Sequence, residues 1–120
     1  MKIPVPDTIP AATELGRVHF VGIGGAGLSA IARVMLERGV EVSGSDGNDS
    51  PTLDALRALG ATVSVGHAAE NVAGADTLIV STAVREDNPE VVAAQAAGLR
   101  LWPRSAGMAS IMQGKRTVAV

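Results

Sequence analysis

Val18-His19-Phe20-Val21-Gly22-Ile23-Gly24-Gly25-Ala26-Gly27-Leu28-Ser29-Ala30-Ile31-Ala32 is the stretch that decides the fold. Its opening residues read as a buried strand, beginning at Arg17 and ending at Val21. Gly22, Gly24 and Gly27 then fall in the pattern G-x-G-x-x-G. A helix follows over residues 26–38, with Leu28, Ile31, Ala32, Met35 and Leu36 on one apolar face and Gly39 as a left-handed stop. Strand, glycine turn and helix in this order make a candidate nucleotide-binding βα unit. Gly22 allows the tight turn, Gly24 lets the backbone approach a diphosphate, and Gly27 lets the helix pack close to the strand. The first helical turn offers unpaired N–H groups and the positive end of its dipole to an anion. Ile23, Gly25 and Ala26 complete the candidate loop.

The same grammar continues outward. Residues 41–45 form a second strand ending at Asp46. Ser50-Pro51 opens a helix that Gly60 closes, its buried face carried by Leu53, Leu56 and Leu59. Residues 62–65 are a third strand, 67–73 a weak turn or helix, and 76–81 a nearly continuous apolar fourth strand. Asn88-Pro89 opens the next helix, Gly98 closes it, and residues 99–102 give a fifth strand stopped by Pro103. Strands alternating with helices predict an α/β, Rossmann-like open parallel sheet of about five strands with helices on both faces. A helix is expected over residues 105–113, with Met108, Ile111 and Met112 on one face and Gly114 as its stop. Residues 115–120 are expected to begin a new strand, either a sixth strand of this sheet or, the favoured reading, the first strand of a following domain. The domain plan is a flexible lead-in over 1–14, the nucleotide domain over 15–104, and a linker helix with the first strand of a following domain over 105–120.

Bulk composition narrows the function. With 120 residues there is room for one domain. The chain is 47% hydrophobic but only 2% aromatic, so its core rests on aliphatic side chains, as parallel sheets and their helices do. A net charge of −2 supplies no basic face for nucleic acid. There is no cysteine for a disulfide or thiolate site, which fits a cytoplasmic protein. No apolar run is long enough for a signal peptide or a membrane span.

The candidate site gathers at the carboxyl ends of the strands. Asp46 stands where an acid accepts from ribose hydroxyls in dinucleotide enzymes; it is equally placed for a base N–H, a sugar hydroxyl, or a turn of its own. Ser81, Thr82 and Ala83 close the fourth strand opposite the glycine loop. His67 follows the third strand, either lining the same cleft or solvated. His19 reads as a packed strand histidine, Arg104 as a surface arginine or an anion contact, and Arg85-Glu86-Asp87 as a solvated loop. No G-x-x-x-x-G-K-[ST] segment, nucleophile–base pair or metal cluster is evident, so these residues bind rather than turn over.

The stretch from Val18 to Ala32 resembles the opening of the Mur ligases of peptidoglycan synthesis, the alanine-adding branch in particular. Gly44-Ser45-Asp46, Gly66-His67, Ser81-Thr82-Ala83-Val84 and Asp87-Asn88-Pro89-Glu90 match in order. The chain departs from that pattern at Leu28, where the family usually has Met, and after Arg104, where the family often carries an acid. The resemblance implies three domains in the intact enzyme, of which this chain is the first. UDP-N-acetylmuramic acid would be held here by its uridine diphosphate. ATP and magnesium would phosphorylate the muramoyl carboxylate elsewhere, and the amine of L-alanine would attack the acyl phosphate. No cofactor is expected in this piece, which should be inactive alone. Two other readings use the same loop: an NAD(P)-binding domain of an oxidoreductase, and a non-catalytic nucleotide-sensing module.

Overall fold

The computed structural model describes residues 10–11 and 14–119, with side chains as far as Met112. The elements run β1 (Val18–Val21), α1 (Ala26–Glu37), β2 (Val42–Asp46), α2 (Pro51–Ala58), β3 (Thr62–Val65), a 3-10 turn (Ala69–Val72), β4 (Thr77–Val80), α3 (Pro89–Ala96), β5 (Arg100–Pro103) and α4 (Arg104–Ala119). The five strands form one parallel sheet in the order β3-β2-β1-β4-β5. Strand order reverses between β1 and β4, which sets the loops after these two strands side by side, at the position where open α/β sheets bind ligands.

Both faces of the sheet are covered. Phe20 and Ile79 pack under α1, α2 and α4 together with Leu28, Ile31, Met35, Leu53, Leu56 and Ile111. Val21, Leu78 and Val80 pack on the opposite face with Val91 and Ala94 of α3 and Val72 of the 3-10 turn. Alternation along the central strands sorts side chains between these two layers. Gly39, Gly60 and Gly98 stop α1, α2 and α3 with φ of 81°, 109° and 70°. Asn88 Oδ1 accepts from Glu90 N at 2.9 Å and caps α3. Ser50 holds the corresponding position before α2, but its side chain makes no capping bond.

Four local expectations need correction. Leu59 is 47% exposed, because α2 ends at Ala58 and the next residue leaves the helical face. Met108 and Met112 are exposed, while Ala106, Gly107, Ser110 and Ile111 form the buried side of α4. Small residues serve there because the helix lies close to the sheet: a Cβ on Gly107 would stand 3.0 Å from Ile79 Cδ1. Third, α4 runs through Gly114 to Ala119, where a stop and a new strand were expected. A strand needs a neighbouring edge to satisfy its backbone, whereas a helix closes its own hydrogen bonds. Val120 lies outside the described residues, as does most of the expected lead-in. Finally, within that lead-in, the Pro10 carbonyl accepts from the buried Ser110 hydroxyl at 2.6 Å, which ties it to α4.

Candidate functional site

The glycine loop is held down by its neighbours. Ser45 O accepts from Gly22 N (2.8 Å) and Ile23 N (3.0 Å), Asp46 Oδ2 from Gly24 N (2.9 Å), and Gly22 O from Gly25 N (3.1 Å). Ile23 is fully buried and packs over Gly44, where any Cβ would come within 2.5 Å of its Cδ1. Four loop donors are thus already bound. The intrahelical bonds begin with Ser29 N to Gly25 O, and Gly25 has no capping side chain. The N–H groups of Ala26, Gly27 and Leu28 therefore have no acceptor within the helix and stand at the positive end of its dipole.

Eight of the expected residues divide between two clefts, while Ile23, Gly24 and Ala26 line neither. Gly22, Gly25, Asp46, His67, Ser81 and Ala83 line one of about 490 Å³, joined by Val84, Arg85, Asp87 and Asn88. Thr82 and Gly27 line another of about 560 Å³, with Pro103, Arg104, Ser105 and Met108. The glycine loop separates them, with Ala26 exposed at its crest. Arg104 overlies Gly27, where a Cβ would come 2.6 Å from its Nη1. The absent side chain at Gly27 therefore makes room for a guanidinium beside the helix N-terminus rather than for the strand. Ser81 Oγ accepts from Ala83 N at 3.2 Å, which fixes the turn after β4 and leaves its proton free to donate.

Beneath the first cleft lies a buried polar network that the motif reading did not find. Glu90 is fully buried. Its Oε1 accepts from His19 Nε2 and from Ser45 Oγ, both at 2.6 Å. Its Oε2 accepts from Ala68 N (3.1 Å) and Asn71 Nδ2 (2.9 Å). Ser43 Oγ lies 2.7 Å from His19 Nδ1, and Ser45 Oγ 2.9 Å from His67 Nδ1. Burial alone pushes the Glu90 carboxyl up, but the bonds from His19, Ser45 and Asn71, with the Coulombic pull of His19, hold it at about 2. A signal was present in the sequence. Ser43 and Ser45 occupy one face of a strand covered on both sides, and His19 pairs with Ser43 in register. Buried polar positions at period two require a polar partner from the covering layer, and Glu90 supplies it. His19 is thus a packed strand histidine, as expected, with a specific task.

Among the described residues no helix is long and apolar enough to cross a membrane, and no three His, Asp or Glu side chains are grouped to hold a metal ion.

Comparison with known proteins adds an independent line. The family profile described as Mur ligase family, catalytic domain, matches residues 17–116. UDP-N-acetylmuramate–L-alanine ligase from a Nocardioides species (strain JS614) is 67% identical over 120 residues, covering 100% of this chain and 27% of that protein. The protein of the same name from Thermobifida fusca (strain YX) is 55% identical over 120 residues, 25% of its length. The crystal structure of UDP-N-acetylmuramate-alanine ligase from Thermotoga maritima superposes with a TM-score of 0.77 at 36% identity, over 81% of this chain and 23% of that one. The chain spans about a quarter of the length of the curated relatives it matches.

Proposed function

This chain belongs to the Mur ligase family, and from that premise we propose that it holds the uridine diphosphate end of UDP-N-acetylmuramic acid for a ligase that adds L-alanine. The observation that carries this reading is the cleft at the β1–β4 switch point. On one wall it has Gly22 and Gly25 of the glycine loop, which leads directly into the N-terminal end of α1. On the other it has Ser81, and across its floor Asp46 and His67. An anion meets unpaired donors and the helix dipole at α1. A nucleoside meets a carboxylate, an imidazole and a hydroxyl, which bind through specific hydrogen bonds. The family match favours a uridine ligand over a dinucleotide, although both carry a diphosphate.

The residues here do not fit ATP or magnesium. The chain has no G-x-x-x-x-G-K-[ST] segment, and among the described residues the acids are not clustered for a cation. No chemical step is therefore assigned to it. In this proposal residues 15–104 form the substrate-holding domain, and residues 105–120 lead toward an ATP-binding domain of the longer, cytoplasmic enzyme. Binding energy from the remote uridine end positions the reacting carboxylate there.

The test is a thermal-shift comparison of this chain with UDP-N-acetylmuramic acid, UDP, NAD and NADP at matched concentrations. A ligand specific to the folded form adds about 2.7 kcal/mol of stability at a hundredfold excess over Kd. Shifts with the two uridine ligands alone support the proposal. A shift with NAD or NADP overturns it in favour of a dinucleotide domain. Silence from all four overturns the claim that this chain carries the uridine site by itself.

A further inference from the structure

The buried network reaches the cleft at one point, the His67 ring, and its hydrogen-bond polarity can be followed proton by proton. Glu90 is an ionised carboxylate and only accepts. Ser45 has a single proton, and the 2.6 Å contact with Glu90 Oε1 requires it, since two bare oxygens would otherwise face each other. Ser45 Oγ can then only accept from His67 Nδ1, 2.9 Å away. Glu90 Oε2, 3.4 Å from the same nitrogen, is also an acceptor. Both neighbours of Nδ1 therefore demand a proton there. A neutral imidazole with a proton on Nδ1 has none on Nε2. His67 is one quarter exposed and lines the cleft, and its Nδ1 edge is turned inward on Ser45. Nε2, on the other side of the ring, makes no hydrogen bond to the described residues.

We propose that Glu90 is a positioning residue that, through Ser45, locks His67 in the Nδ1–H tautomer, so that Nε2 presents a bare acceptor to the cleft and selects a ligand hydrogen-bond donor. The proposal rests on the uridine-site reading for its ligand. In a uridine nucleotide that donor is a ribose hydroxyl or the imide N–H of the base. The logic is that of histidines held by a carboxylate on the far ring nitrogen, here applied to recognition rather than catalysis. Ser45 is the interposed relay and is fully buried, so solvent does not compete for the bond.

The experiment has a ligand-free half and a ligand half. Nitrogen-15 chemical shifts of the His67 ring, recorded on this chain at a pH where the ring is neutral, read the tautomer directly. A protonated Nδ1 with a bare Nε2 supports the relay, and an Nε2–H tautomer overturns it. Glu90→Gln offers amide hydrogens to the network and should shift His67 toward Nε2–H, an effect that loss of packing alone does not produce. If that variant fails to fold, the wild-type spectrum still decides. Calorimetry then compares UDP with N3-methyl-UDP, 2′-deoxy-UDP and 3′-deoxy-UDP. One analogue should bind about tenfold more weakly to the wild type, the loss of one hydrogen bond, and should show no such penalty against His67→Ala. The analogue that loses affinity identifies the base or the sugar as the source of the donor. Equal binding of all four, or the same penalty in His67→Ala, overturns the selection. No binding of UDP at all overturns the uridine-site reading and the ligand half with it, while the spectrum judges the tautomer independently.

Discussion

Asp46 Oδ2 lies 2.9 Å from Gly24 N, and a Cβ added to Gly24 would stand 2.7 Å from that same oxygen. The acid at the end of β2 and the middle glycine of the loop are therefore one device. Gly24 does not have the positive φ seen at Gly22, so its lack of a side chain serves proximity rather than backbone conformation. The second carboxylate oxygen accepts from Asn48 N at 3.2 Å, which steadies the turn after the strand.

A double-mutant cycle tests this pairing. Gly24→Ala forces the carboxylate away and breaks the bond, and Asp46→Ala leaves the Gly24 N–H without its acceptor. Each change should cost about 1–2 kcal/mol in urea unfolding. In the double variant the clash is gone and the bond cannot be lost twice, so the total should fall short of the sum by about 1 kcal/mol. Strict additivity would show that the two residues act separately.

Glu90→Gln should cost about 3–5 kcal/mol near neutral pH, because an uncompensated cluster of donors is left buried around it. The acid limb gives the sharper check. The folded pKa of about 2 lies below the ordinary 4.5, so the carboxylate stabilises the fold above pH 4.5. That contribution, about 3 kcal/mol, is lost as pH falls from about 4.5 to about 2. Denaturation midpoints of wild type and variant should converge over that window. A variant with the same acid limb as wild type would assign the effect to another group.

Which parts were legible in the sequence follows from how local each signal is. Gly39, Gly60 and Gly98 each stop a helix by their own backbone conformation, so the elements could be read from neighbouring residues. The alternation of strands and helices then fixed the class of sheet. Thr82 and Gly27, by contrast, look like parts of the same motif-bearing rim as Ser81 and Gly22, yet they line a different cleft. Only the three-dimensional path of the loop crest decides that. The partners of Glu90 lie 71 and 45 residues away at His19 and Ser45, and no spacing rule joins α3 to two strands across the sheet face. Residues 115–119 show the converse. Thr117 and Val118 are β-branched and suit a strand, but strand formation depends on an edge that the local sequence does not supply.

Gly44→Ala should destabilise the chain by about 1–3 kcal/mol through overpacking, with an unchanged dependence on denaturant concentration. The added methyl would lie 2.5 Å from Ile23 Cδ1, 2.8 Å from Cβ and 3.0 Å from Cγ2. Trimming Ile23 to Val removes only the first of these contacts, so Ile23→Val should not rescue it. Relief requires the loop backbone itself to lift, and UDP binding should weaken along with stability. Full rescue of stability by Ile23→Val would show that only the tip of the side chain matters.

Gly27→Ala should separate binding from stability. The position lies inside α1, where alanine is better than glycine by about 1 kcal/mol. The methyl would meet the Arg104 side chain, with Nη1 at 2.6 Å and Cδ at 2.8 Å, and that residue is exposed enough to swing aside. The melting temperature should therefore hold or rise. Displacing the guanidinium removes a positive charge from the end of the helix where Ala26, Gly27 and Leu28 offer their N–H groups. UDP affinity should fall, and its dependence on salt should flatten, since fewer charges attract the diphosphate. Arg104→Ala should reproduce the loss of affinity without the gain in stability. If Gly27→Ala lowers the melting temperature by several degrees, the glycine is needed for packing against the strand after all, and the pairing with Arg104 is incidental.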